Sequence, residues 1–201
     1  MTEQLVRAEK THLLAVDVYA SLRAAWLAQF GVSPTRAQLL TVLAQVWLET
    51  NAGTMSYGYN LGGIKHVNGD GHDYYSVQTH EVSGGVTRIV VQPFRSYADL
   101  NAAASDFLRI VKRDAASSLS RATPDLAEYA HDLKSRSYYT AAEHDYAGAL
   151  QVRYKQLEAS IGEDTSPELP VAIARTQPTP GDDESDQPTP PDDLPEPPDA
   201  A

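Results

Sequence analysis

Ten of the chain's 13 prolines fall after Gly162, and no aromatic residue follows that point. This break constrains the fold more than any other feature of the chain. Whatever core the protein builds must come from residues 1–162. Residues 163–201 repeat Gln177-Pro178-Thr179-Pro180 as Gln187-Pro188-Thr189-Pro190, each a residue ahead of an Asp pair. Such a segment has too little apolar surface to offset the entropy of ordering it, and its charges repel. We therefore expect one folded domain over residues 1–162 and a disordered, acidic, Pro-rich tail over 163–201.

The charge follows the same division. Of the net −11, the tail holds 11 acids against the single base Arg175, which leaves 16 acids and 15 bases for the rest. A near-neutral domain without a dense Lys/Arg patch argues against nucleic acid as a partner. No stretch approaches the length of apolar sequence that spans a membrane. The chain has no cysteine, which excludes disulfides, thiolate metal sites and a cysteine nucleophile.

Hydrophobic spacing predicts a mainly α, α+β domain. Leu14, Val18, Leu22 and Trp26 repeat at helical period within a helix from about Thr11 to Phe30, which Gly31 ends. Ser33 and Pro34 read as N-cap and first residue of a second helix, with Leu39, Leu40, Leu43, Val46 and Trp47 as its buried stripe. This helix reaches Glu49 and stops in Thr50-Asn51-Ala52-Gly53. A glycine-rich stretch over 57–71 gives way to two strand-like runs, Tyr74 to Val82 and Val86 to Val91, with a turn at Ser83-Gly84-Gly85. Helical pattern returns after Pro93, through Tyr97, Leu100, Ala104, Phe107, Leu108 and Val111. Thr123-Pro124-Asp125 caps a short helix, and a last one starts near Ala141 and carries Tyr146, Leu150, Tyr154 and Leu157. The hairpin is a minor lobe on a helical body.

Glu49 is the sharpest chemical feature. A carboxylate at a helix C-terminus faces the negative end of the helix dipole. It also lies a turn beyond Val46, at the edge of the buried stripe. Both effects raise a carboxyl pKa, as a general acid for glycosidic cleavage requires. A surface Glu that happens to end a helix is the plainer alternative.

The surroundings of Glu49 carry a resemblance. Leu48-Glu49-Thr50, then Asn60-Leu61-Gly62-Gly63-Ile64-Lys65, then Phe94-Arg95-Ser96-Tyr97, then Tyr138-Tyr139-Thr140-Ala141 with Asp145-Tyr146-Ala147, occur in that order. Together they resemble the flagellar-type N-acetylglucosaminidases of glycoside hydrolase family 73, over roughly residues 35–158. The resemblance implies a lysozyme-like fold with a small β-hairpin lobe, no cofactor, and hydrolysis of β-1,4 links between N-acetylated sugars in peptidoglycan glycan strands. Glu49 matches the family's proton donor. A second acid would come from the hairpin lobe, where Glu81 is the candidate and Asp70 and Asp73 are rivals. Tyr139 matches the cleft tyrosine, with Tyr138 a near-equal alternative in register. Tyr57 and Tyr59 are candidates for lining sugar subsites or for packing in the turn. Asn60 is a candidate to shape the turn beneath the cleft, and Tyr146 reads as core. Two departures stand out. The family's usual Phe in the Asn-Leu-Phe-Gly turn is Gly62, and no Trp follows the catalytic Glu.

Other constellations are weaker. His66, Asp70, His72 and Asp73 match no standard metal-ligand spacing, and Gly69-Asp70-Gly71 reads as turn chemistry. The alternative to an enzyme is a non-catalytic peptidoglycan-binding or structural component of a phage or injection machine that retains the fold. The N-terminal residues lack the apolar core of a signal peptide. Delivery to the cell wall by lysis, a virion or an injection or secretion machine is therefore expected, with the tail as a docking or solubility element.

Overall fold

A computed structural model describes residues 3–83 and 86–162 of the chain, with side chains described outside residues 80–87. The expected tail and the tip residues Gly84 and Gly85 lie outside the described residues. The elements are β1 (Lys10–Thr11), α1 (Ala15–Phe30), α2 (Arg36–Glu49), β2 (Ser56–Tyr57), β3 (Asp73–Ser83), β4 (Val86–Ser96), α3 (Leu100–Leu119), α4 (Leu126–Ser135) and α5 (Glu143–Ser160). Five helices with a small hairpin lobe make the α+β, mainly α, lysozyme-like domain.

Helix α2 is the centre of the body. Every residue from Gln38 to Val46 is buried, so the apolar stripe read from its sequence is one side of a helix enclosed all round. Helices α1 and α5 pack on it, while α3 packs on α1 and α4, and α4 on α5. Leu22, Leu40, Leu43, Phe107, Leu108, Tyr129, Leu133 and Leu150 fill the space between them and have no exposed surface.

Local chemistry sets the helix ends. Thr35 is the N-cap of α2, and its hydroxyl accepts from the Gln38 amide while the Gln38 side chain accepts from the Thr35 amide. This reciprocal box satisfies two otherwise unpaired donors, so the helix begins beyond the expected Ser33-Pro34 start. Helix α1 begins at Ala15 rather than near Thr11, because Lys10 and Thr11 pair with Tyr57 and Ser56. Asp99 and Asp125 cap α3 and α4 through their carboxylates, and Gly31 ends α1 in the left-handed region at φ 73°.

The hairpin is longer than its sequence pattern. β4 runs to Ser96, straight through Pro93, with Asp73 paired to Ser96 and Ser83 to Val86. Proline is tolerated there because the ladder takes its carbonyl, which accepts from the His66 amide at 3.0 Å, and needs no donor from it. The N-terminal segment joins the other edge of the hairpin. Leu5 bridges Tyr74 in parallel, and Val6 N–H and Tyr74 N–H bond across to Tyr74 O and Gln4 O. At the hairpin base, Arg95 bonds both Asp70 and Asp106, and the Tyr97 hydroxyl donates to Asp106 at 2.7 Å. The Phe94-Arg95-Ser96-Tyr97 block thus ties the lobe to α3.

Candidate active site

Helix α2 delivers Glu49 as its last residue, and the chain then reverses. The Thr50 hydroxyl donates to Val46 O and accepts from the Gly53 amide. Asn51, Ala52 and Gly53 follow with φ of 46°, 57° and 78°. Gly53 is required twice over: its φ is left-handed, and a Cβ there would lie 2.6 Å from the Leu13 carbonyl. This tight exit leaves the half-buried Glu49 side chain facing a cleft of about 770 Å³.

Leu48, Gly63, Lys65, Ser137 and Ala149 line that cleft together with Tyr138, Tyr139, Asp145 and Tyr146. The Tyr146 hydroxyl donates to Glu49 Oε1 at 2.8 Å. Tyr139 stacks on Tyr146 with ring centroids 3.7 Å apart and 6° between planes. The Tyr139 hydroxyl donates to Ala130 O at 2.9 Å, while that of Tyr138 donates to Gly62 O at 3.3 Å. Lys134 fixes the segment between α4 and α5, bonding the carbonyls of Thr140 and Ala141 and lying 5.0 Å from the centroid of the Tyr139 ring.

Burial raises the Glu49 carboxyl above its ordinary range, and the Tyr146 hydrogen bond offsets part of that rise. The C-terminal end of α2 adds in the same direction as burial. Burial and the neighbouring Glu49 charge raise Tyr146 far above the usual phenol range, so it keeps its proton and donates to the ionised carboxylate. The site therefore holds a carboxyl biased toward its protonated form, with one oxygen oriented by a fixed hydroxyl.

Among the residues named from the sequence, the cleft brings together Glu49, Tyr138 and Tyr139. Tyr57, Tyr59 and Asn60 are not among its lining residues. Tyr57 pairs with Lys10 and faces the Tyr75 ring at 6.0 Å, and Tyr59 packs against the core at φ 57°. Asn60 is buried, its amide donating to Ile64 O and Arg95 O and its oxygen accepting from the amides of Gly62 and Ile64. It supports the turn that carries Gly63 and Lys65 to the cleft wall. Glu81 sits on β3 opposite Arg88, and its side chain lies outside the described residues. Asp70 is bound to Arg95 and Asp73 accepts from the Gln4 amide, so neither lines the cleft.

Sequence reasoning missed two residues. Tyr146, read as core, is buried and also grips Glu49. Asp145, its neighbour, is the second carboxylate among the lining residues. The sequence signal for both was the Asp145-Tyr146-Ala147 block of the resemblance, but their proximity to Glu49 comes from the packing of α5 against α2. The departure at Gly62 has a packing reason. A Cβ there would come within 2.6 Å of both Phe107 Cε2 and the Tyr138 hydroxyl, which already occupy that space.

The sequence profile of the glucosaminidase family, described as mannosyl-glycoprotein endo-beta-N-acetylglucosaminidase, matches residues 34–161. The C-terminally truncated glycoside hydrolase domain of FlgJ from Salmonella typhimurium is similar at 25% identity and TM-score 0.51, over 73% of this chain and 99% of that one. A peptidoglycan hydrolase from Sphingomonas sp. A1 is 20% identical with TM-score 0.54, over 77% and 98% of the two chains. The catalytic domain of the autolysin Auto from Listeria monocytogenes shares the fold at 17% identity and TM-score 0.56, over 72% and 82%. No curated protein sequence gives a match. The profile spans more than half of the chain and encloses Glu49 and the cleft tyrosines, and the chain belongs to the glucosaminidase family of glycoside hydrolases.

Proposed function

We propose that this enzyme hydrolyses β-1,4 glycosidic bonds between N-acetylated sugars of peptidoglycan, with Glu49 as general acid. The observation that carries this reading is the half-buried Glu49 carboxyl on the cleft wall, bonded by Tyr146 and with its pKa raised chiefly by burial. The relatives named as peptidoglycan hydrolases and as an autolysin support the choice of substrate.

In the reaction, protonated Glu49 gives its proton to the glycosidic oxygen as the bond to the anomeric carbon lengthens. Positive charge develops on the sugar as an oxocarbenium-like species, and water completes hydrolysis. The stacked pair Tyr139 and Tyr146 presents an aromatic wall beside the acid, with Tyr138 next to it. A second acid on the hairpin, Glu81, activates the water or steadies the cation. Asp145 is the competing carboxylate, since it lines the cleft itself. If the substrate's own acetamide assists, neither acid is needed and both variants retain activity.

The test is digestion of purified peptidoglycan by the wild type and Glu49→Gln, followed by mass spectrometry of released fragments. Hydrolysed saccharides from the wild type alone support the assignment. Equal release by both proteins removes Glu49 from the mechanism, and anhydro-sugar products would make the enzyme a lytic transglycosylase. Glu81→Gln and Asp145→Asn in the same assay identify the second acid as the one whose loss lowers the rate by two orders of magnitude or more. We infer that the enzyme reaches the wall by lysis, a virion or an injection or secretion machine, with residues 163–201 as a docking or solubility element. The family match ending at residue 161 supports this division.

A further inference from the structure

Away from the cleft, the hairpin base holds a buried histidine with one edge unused. His66 has 1% of its side chain exposed. Its Nδ1 lies 3.1 Å from Asp70 Oδ1, and its ring stacks on Tyr74 at 4.3 Å. Its Nε2 is buried and makes no hydrogen bond. The nearest charged group to that nitrogen is the Glu3 carboxylate, with Oε2 at 3.5 Å. Ligand atoms of Glu3, His66 and Asp70 all lie within 4.8 Å of one another.

We propose that His66 Nε2 and the Glu3 carboxylate bind a divalent transition-metal ion of the zinc type, which staples the N-terminal segment to the base of the hairpin lobe. Two donors at zinc-ligand distances, set at the tetrahedral angle, stand roughly 3.4 Å apart. The Glu3 and His66 atoms already have that separation. Asp70 supplies the outer support such a histidine needs. It accepts from Nδ1, which fixes the tautomer and leaves the Nε2 lone pair facing Glu3. Asp70 is itself held by the amides of Val67 and His72 and by Arg95 Nε. Glu3 is held by the amides of Gly69 and Gly71, at 3.0 and 2.6 Å. Both carboxylates are thus positioned before an ion arrives. Water completes the coordination.

The donor types suit this class of ion. One imidazole and one carboxylate favour zinc and its neighbours over calcium or magnesium, which take oxygen sets. Sequence spacing could not show the site, because Glu3 comes from a distant segment that reaches the turn only through its pairing with Tyr74. The proposal is independent of the cleft and of the reaction assigned to it.

The test titrates Zn²⁺ into the full chain at neutral pH and follows the imidazole nitrogens by ¹⁵N–¹H correlation, which separates His66 from weak binding by acidic residues elsewhere. Thermal unfolding is measured beside it. The expected result is a shift of the His66 Nε2 resonance that saturates at one ion per chain, with a raised Tm. Glu3→Gln, which keeps an acceptor oxygen for one of the two glycine amides, loses that shift and the gain in Tm while still digesting peptidoglycan at the wild-type rate. Asp70→Asn weakens the affinity by about 10- to 100-fold, as removal of an outer-shell partner does. Unchanged His66 resonances at saturating Zn²⁺, or equal binding by the wild type and Glu3→Gln, would overturn the proposal. A His66 that responds to pH alone would mean a proton, not a metal, bridges the two groups.

Discussion

The Glu49–Tyr146 contact sets two opposed effects on one carboxyl. Burial favours the neutral acid, while the hydroxyl favours the anion. Removing the hydroxyl should move the balance further toward the acid. In Tyr146→Phe the alkaline limb of the kcat profile is expected to move to higher pH, because the general acid stays protonated longer. The rate at the optimum should fall by about tenfold, the equivalent of one positioning hydrogen bond. A limb that stays in place would show that Tyr146 only packs. The same shift has a consequence for stability. A carboxyl whose pKa rises on folding stabilises the native state below its unfolded pKa, and that contribution is lost as pH climbs through the folded value. Glu49→Gln removes the cost of the buried charge, so it should be more stable than the wild type by about 0.5–2 kcal/mol at neutral pH. The difference should shrink toward mildly acidic pH as Glu49 protonates. Chemical denaturation at several pH values measures it.

Between residues and the whole lies the turn from Asn60 to Lys65, which carries one wall of the cleft. A single amide satisfies four backbone groups there, on both the turn and β4. Asn60→Ala takes the side-chain partner from the part-buried Gly62 and Ile64 amides and the Arg95 carbonyl, while Ile64 O keeps the Arg95 amide, and we expect a loss of about 1–3 kcal/mol. It should lower the urea midpoint without changing the slope, and lower activity with it. The elements also show where sequence was sufficient. The α2 stripe, the Asp125 cap and the start of α5 near Ala141 were legible, because helical period and capping chemistry are local. The Pro93 strand, the Thr35 start of α2 and the late start of α1 were not. Each depends on a partner, a carbonyl ladder, a reciprocal box or a strand pair, that lies across a turn or in another segment. The site divides in the same way. The position of Glu49, at a helix end and on the cleft wall, could be read because helix end and stripe edge coincide there. The bond of Tyr146 to Glu49 and the place of Asp145 on the cleft wall could not, because both come from where α5 lies against α2.

At the scale of the whole molecule, the helical body closes on itself at its last residues. The Arg36 guanidinium, at the start of α2, donates to the carbonyls of Glu158 and Ile161 at 3.0 and 2.8 Å. Leu157 and Ile161 are buried in the core that α2 organises. The first turn of α2 and the end of α5 are therefore joined, and the joint sits just before the proline-rich segment. Two truncations should differ sharply. Ending the chain after Gly162 leaves the Arg36 contacts and both apolar side chains in place. Its Tm should stay within about 2 °C of the full chain, and its digestion of peptidoglycan should be unchanged, since shifts of that size correspond to less than 1 kcal/mol in a domain this large. Ending it after Leu157 removes Ile161 and both carbonyl acceptors. The loss of one buried aliphatic side chain alone costs about 2 kcal/mol or more, so Tm should fall by at least about 4 °C. Equal behaviour of the two truncations would mean that Arg36 and Ile161 do not close the body. Loss of hydrolysis in the longer one would mean that the acidic segment takes part in the reaction after all.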